Sequence, residues 1–116
     1  MAASAGILIG WTRPVPGREQ QAREVFQATL AFYGKLQSEG KIDSFEPALI
    51  EPHGGDFNGF VLVRGEQAKL DAIKQSEEFL DLTSQASFNV QGFGVLRVHL
   101  GEGVQKQMAR WYKNVR

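Results

Sequence analysis

The sequence predicts an α+β domain in which an antiparallel four-stranded sheet carries two helices on one face, with a further helix at the C-terminus. Three observations predict it. One long stretch, from Arg18 to about Gln37, repeats apolar residues at three- and four-residue spacing. Two extended runs flank His53-Gly54-Gly55-Asp56, which reads as a hairpin. The strand-like runs are apolar in both alternating phases.

Taken in order, Ile7 to Arg13 is apolar and rich in β-formers, and Pro14-Val15-Pro16-Gly17 stops it. In the helix that follows, Ala22, Val25, Phe26, Thr29, Leu30, Tyr33 and Leu36 share one face. Gly40 suits the left-handed position just past its end. Ile42 to Pro52 and Phe57 to Arg64 are the second and third strands. A second helical stretch from about Gln67 to Ser84 has a break point at Ser76, a residue suited to cap a new first turn carrying Glu77 and Glu78. Val90 to Leu100 is the fourth strand, and residues 104–115 form a short tail helix. The order β-α-β-β-α-β is the ferredoxin-like arrangement. Residues 1–116 are read as one domain.

In the third strand Phe57, Val61 and Val63 alternate with Phe60 and Leu62; in the fourth, Leu96, Val98 and Leu100 alternate with Phe93 and Val95. Helices cover one face only, so the second face calls for another sheet. The expected partner is a second copy of the chain.

Composition narrows the function classes. There are 13 Lys and Arg against 13 Asp and Glu, no cysteine, and 42% hydrophobic residues. No disulfide framework, thiolate metal site or cysteine nucleophile is available. Two histidines are too few for a three-histidine zinc site, and neither a metal nor a cofactor is expected. Zero net charge argues against nucleic acid, and the first strand lacks the stacking aromatic of RNA-binding sheets. No apolar run approaches the roughly 20 residues of a membrane span, and none fits a leader, so a cytoplasmic protein is expected. The balance is uneven along the chain: residues 1–38 carry four basic and two acidic groups, residues 39–81 four and ten, and residues 82–116 five and one. Such blocks either solvate separate faces or complement one another between subunits.

The chain resembles the dimeric α+β barrel superfamily of antibiotic-biosynthesis-type monooxygenases and stress-responsive barrel proteins. The resemblance rests on Gly10-Trp11, the long helix from Arg18, Gly59-Phe60-Val61-Leu62-Val63, and the broken helix through Ser76-Glu77-Glu78-Phe79-Leu80. It implies two sheets packed into a barrel, with a ligand cleft between each sheet and its helices. Several members oxidise aromatic polyketides without a cofactor; others bind or degrade haem. No histidine occurs between Gln67 and Ser87, which argues against haem ligation from the second helix.

Tyr33 offers a polar handle on the buried helix stripe. Arg97 and His99 project from one strand face, where they could hold a carboxylate or phenolate. Trp11 and Arg13 share a phase of the first strand, the ring as an aromatic wall and the guanidinium as an anion holder. The candidate catalytic set is therefore His99, Tyr33 and Arg97; the candidate ligand walls are Trp11, Arg13, Phe60 and Phe93. His53, on the hairpin, is either a solvated turn residue or a proton shuttle, since imidazole titrates near neutral pH. No nucleophile elbow, Walker lysine or dinucleotide fingerprint occurs. The tail places Val104, Met108, Trp111 and Val115 on one helical face, suited to packing within a dimer. The expected function is binding of a small apolar or aromatic molecule, with cofactor-independent oxidation or proton transfer as the chemistry if it is an enzyme. The competing class is a non-catalytic interaction module.

Overall fold

Alternation within one strand organises the protein. In the computed structural model, which describes residues 4–115, strand β1 (Ala5–Trp11) points Ala5, Ile7 and Ile9 into a core and leaves Gly6, Leu8 and Gly10 on the opposite face. Met1 to Ala3 and Arg116, the ends of the span read as one domain, lie outside the described residues. The remaining elements are β2 (Arg13–Pro14), α1 (Glu19–Ser38), β3 (Ser44–Leu49), β4 (Gly59–Gly65), α2 (Gln67–Lys74), α3 (Glu77–Asn89), β5 (Val90–Gln91), β6 (Gly94–His99) and α4 (Glu102–Asn114). The sheet order is β3-β4-β1-β6, antiparallel throughout, as the ferredoxin-like arrangement requires.

Register decides which side chains meet the helices. Ile7 and Ile9 lie opposite Val63 and Val61, and these four pack with Phe32, Tyr33 and Leu36 of α1, Leu70 and Ile73 of α2, and Phe79 of α3. Val61 and Val63 are wholly buried. The other phase pairs Leu8 with Leu62 and Leu96, and Gly10 with Phe60. That face is only partly covered: Leu96 is 51% exposed, and Leu8, Phe60, Leu62 and Val98 are half-buried.

Local chemistry sets the element ends. Past α1, the Lys41 N–H bonds the Leu36 carbonyl at 2.9 Å and the Gly40 N–H bonds that of Gln37 at 3.1 Å. With Gly40 at φ 74°, this is a Schellman termination. Ser76 separates α2 from α3, its hydroxyl accepting from the Phe79 N–H at 3.3 Å and donating to the Ile73 carbonyl at 2.7 Å. Pro47 sits in β3, tolerable because that strand lies at the sheet edge.

The observed strands are shorter than the apolar runs suggested. Residues 50–58 form a loop, closed by Ile50 N–H to the Asn58 carbonyl at 3.0 Å, so the expected second and third strands each lose residues at the hairpin. The expected fourth strand is interrupted at Gly92, whose φ of 66° turns the chain. Before it, β5 pairs with β2 in a separate two-residue ribbon (Arg13↔Gln91, Pro14↔Val90). Trp11 and Arg13 therefore do not share one strand: β1 leaves the sheet at Thr12, and Arg13 lies in the ribbon. Helix α3 continues to Asn89, five residues beyond the expected Ser84.

Tyr33 is among the most enclosed side chains of the core, and burial pushes its phenol well above the ordinary tyrosine range. Folding therefore favours the protonated phenol. Its contribution is complete below the unfolded-state value of about 10 and declines as pH rises through it, because the unfolded chain then releases a proton the folded chain retains. Alkaline titration followed at the tyrosinate absorbance checks this. Tyr33 should ionise only with unfolding, and Tyr33→Phe should weaken the loss of stability above pH 10.

Candidate functional site

Trp11 ends β1 on the helix-facing side, opposite Gly59 of β4. A Cβ on Gly59 would stand 2.5 Å from Trp11 Cζ2 and 2.6 Å from Cε2, so the indole lies across bare backbone that only glycine leaves free. Phe26 of α1 meets this ring edge-on, with centroids 5.5 Å apart and planes at 69°. Between this pair and the end of α3 is a cavity of about 390 Å³, walled by Trp11, Ala22, Val25, Phe26, Leu49 and Phe93, with Ala86 and Val90 at its far side. Its lining is mostly carbon; Trp11, Thr29, Glu19 and Arg23 are the lining residues that carry polar side-chain groups, and the last two are exposed. Neither is in an ion pair among the described residues.

The void explains a burial anomaly. Phe26, Thr29 and Leu30 continue the apolar stripe of α1, yet they are half-buried, whereas Val25, Tyr33 and Leu36 are buried. The cavity takes the place of sheet side chains beneath Phe26 and Thr29.

A polar latch holds the rim. Asn89, the buried polar residue at the end of α3, accepts from Arg18 Nε at 2.6 Å and donates to the Gln85 carbonyl at 2.8 Å. Its backbone carbonyl accepts from the Val15 N–H at 2.9 Å. Two of these bonds, from Arg18 and Val15, tie the end of α3 to the chain entering α1, beside the cavity wall.

Two further features adjoin the cavity. An alcove of about 20 Å³ shares Ile9, Thr29, Ala86 and Phe93 with it and is closed by Tyr33, Phe32 and Phe79. On the outer side, an open groove shares Trp11, Pro14 and Leu49 and continues along Arg13, Asn58 and the 50–58 loop. Asn58 pins that loop to β1: its Nδ2 donates to the Thr12 carbonyl at 2.7 Å and its N–H to that of Trp11 at 3.0 Å. His53 Nε2 lies 2.8 Å from the Phe57 carbonyl, a contact that requires the proton on Nε2 and leaves Nδ1 as an acceptor in the neutral ring.

Of the residues singled out in the sequence, Trp11 and Phe93 line the cavity, and Arg13 lies in the adjoining groove. Tyr33 stands behind Phe93 in the alcove. Phe60 is on the opposite sheet face, stacked on Phe57 at 5.6 Å, because the helix-facing phase of β4 belongs to Val61 and Val63. Arg97 and His99 share the helix-facing phase but lie opposite Ile7 and Ala5. At about 3.3 Å per residue, that is roughly 13 and 20 Å along the sheet from the level of Trp11. The structure does not bring these two to the cavity. Phe26, Leu49 and Asn89 were not singled out as site residues; Phe26 was visible as part of the α1 stripe, while the roles of Leu49 and Asn89 depend on register and chain turns. Among the described residues no group of three or more His, Asp and Glu is placed to hold a metal. No helix of the structure is long and apolar enough to cross a membrane.

No protein family and no curated protein matches the chain by sequence. Solved structures do match in fold. A hydroxynitrile lyase from Passiflora edulis superposes with a TM-score of 0.65 at 13% identity, covering 88% of this chain and 97% of its own. A dimeric ferredoxin-like protein of unknown function from Bacteroides fragilis gives 0.59 at 9% identity, covering 86% and 100%. SnoaB, a cofactor-independent oxygenase from Streptomyces nogalater, gives 0.54 at 14% identity, covering 86% and 93%. The protomer thus has the ferredoxin-like fold shared by dimeric α+β barrel proteins, and at these identities the likeness carries the fold alone.

Because Trp11 rests on Gly59, Gly59→Ala should displace the indole. In a Trp111→Phe background, where Trp11 is the sole tryptophan, its near-ultraviolet circular dichroism and emission should change while far-ultraviolet dichroism stays constant. An unaltered Trp11 signal would show that the ring does not occupy this position.

Proposed function

We propose that this protein binds one flat, largely apolar molecule of one or two aromatic rings in the cavity between Trp11 and Phe26, and works as a homodimer. The cavity carries the reading: its volume of about 390 Å³ and carbon lining favour an apolar occupant. Edge-on aromatic walls favour a planar one. Among the lining residues Trp11 brings an indole N–H and Thr29 a hydroxyl, enough to orient one or two acceptors. The ligand's polar end points to the groove, where Arg13 is exposed and can meet an oxygen anion.

Two fold relatives named as enzymes, a lyase and a cofactor-independent oxygenase, support a catalytic version in which the substrate supplies its own reactivity and the protein moves a proton. Tyr33 would serve there as a donor from the adjoining alcove. His53 Nδ1 is the acceptor on the groove side, and Arg13 is the oxyanion holder. Arg97 and His99, at the other end of the sheet, are given no part in this site.

The homodimer follows from the second sheet face. Leu8, Phe60, Leu62, Leu96 and Val98 form an apolar surface that the helices of α1 to α3 leave uncovered, and the Bacteroides fragilis relative is itself dimeric.

Titration with a neutral two-ring aromatic such as 2-naphthol should quench Trp11 fluorescence saturably in the Trp111→Phe background. Ala22→Phe, which places a ring in the cavity, should weaken that binding about tenfold or more with the far-ultraviolet spectrum unchanged. Non-saturable quenching, or equal affinity in the filled variant, would refute the site. Leu96→Glu should convert a dimer of about 26 kDa into a monomer in sedimentation; a dimer that survives it would refute assembly through this sheet face.

A further inference from the structure

The tail helix has an apolar side that its own protomer covers only in part. Val104, Met108, Trp111 and Val115 recur at helical spacing and are 41%, 39%, 60% and 70% exposed. Only the first turn of α4 is anchored. Gly103 packs on the Ser4 carbonyl, which also accepts from the Leu100 N–H at 2.9 Å, and a side chain at 103 would collide there.

Size and shape show the same thing. The Cα radius of gyration is 15.4 Å, against about 13 Å for a compact chain of this length. The accessible surface is 7696 Å², against roughly 6,300 Å² expected from the mass. The excess, about 1,400 Å² per protomer, is on the scale that a large two-fold interface removes from each side.

We propose that α4 is an arm that crosses to a second copy of the chain and buries the Val104–Met108–Trp111–Val115 stripe against it. The proposal rests on the homodimer reading above and adds the arm to the interface. Two observations select a second copy as the occupant. The missing area matches what a stable dimer needs. The stripe continues the uncovered sheet face: Leu100 and Val98 both stand over Gly6 on that face, and α4 begins two residues past Leu100.

The test uses the full chain. Met108→Glu combined with Trp111→Glu alters only side chains already outward-facing in the protomer, so the far-ultraviolet spectrum should hold. The dimer dissociation constant in sedimentation equilibrium should rise about tenfold or more. In Trp11→Phe, where Trp111 is the sole tryptophan, dilution through the dissociation range should shift emission to the red. A double variant that dimerises as tightly as wild type overturns the arm. So does wild-type binding to phosphatidylglycerol vesicles that the double variant loses while its dimerisation is unchanged. The two readings separate through Leu96→Glu: dissociation by that variant but not by the double variant removes the arm and leaves the sheet interface. Dissociation by the double variant but not by Leu96→Glu removes the sheet interface and leaves the arm.

Discussion

Strand β1 has two apolar surfaces and helices for only one of them. Ile7 and Ile9 are buried beneath α1 and α2, while Leu8 faces outward between Leu62 and Leu96. Side chains alternate with a period of two, so no shift of register could hide both sets within the protomer. Helix placement and the half-exposed rear face follow from this constraint, as does the location of the cavity on the sheet side that faces helices. The rear face has no helix above it, so a concavity between helix and sheet can form only on the helix side. It lies where β1 leaves the sheet and the cover from α1 is incomplete.

That departure joins the ligand cavity to the rest of the fold. Thr12 bonds across to β5, with its N–H 2.8 Å from the Gln91 carbonyl, and Gly92 turns tightly against the Thr12 side chain. The ribbon keeps the end of α3 and the start of α1 in place, and the Arg18–Asn89 bond closes the same joint from the side. Rim and floor are therefore built from residues far apart in sequence, each held by backbone bonds. A site of this kind is preorganised for a rigid ligand, because few side chains need ordering when one enters.

The architecture was largely legible in the sequence, because it depends on periodicity and punctuation. The stripe from Ala22 to Leu36, Gly40 past the helix end, and Ser76 between two helices each state a local backbone preference, and each is found in its expected role. The cavity was legible only in part. Trp11 and Phe93 announced themselves as aromatics on helix-facing phases. That Phe26 roofs a void instead of a filled core depends on Gly59 admitting the indole, a relation between two strands that one-dimensional spacing does not contain. The break at Gly92 was likewise missed, because Val90 keeps the phase of Leu96, Val98 and Leu100 across the two glycines between them.

Pro47 has a consequence for how this chain behaves in a crowd. It lies in the outermost strand β3, and a proline there has no N–H to offer to an incoming strand; Glu46 beside it adds a charge. Growth by adding sheet to sheet along that rim is therefore obstructed. One imino acid thus blunts one of the two borders of a sheet whose rear face is apolar and partly exposed, and leaves β6 as the border with unpaired backbone donors.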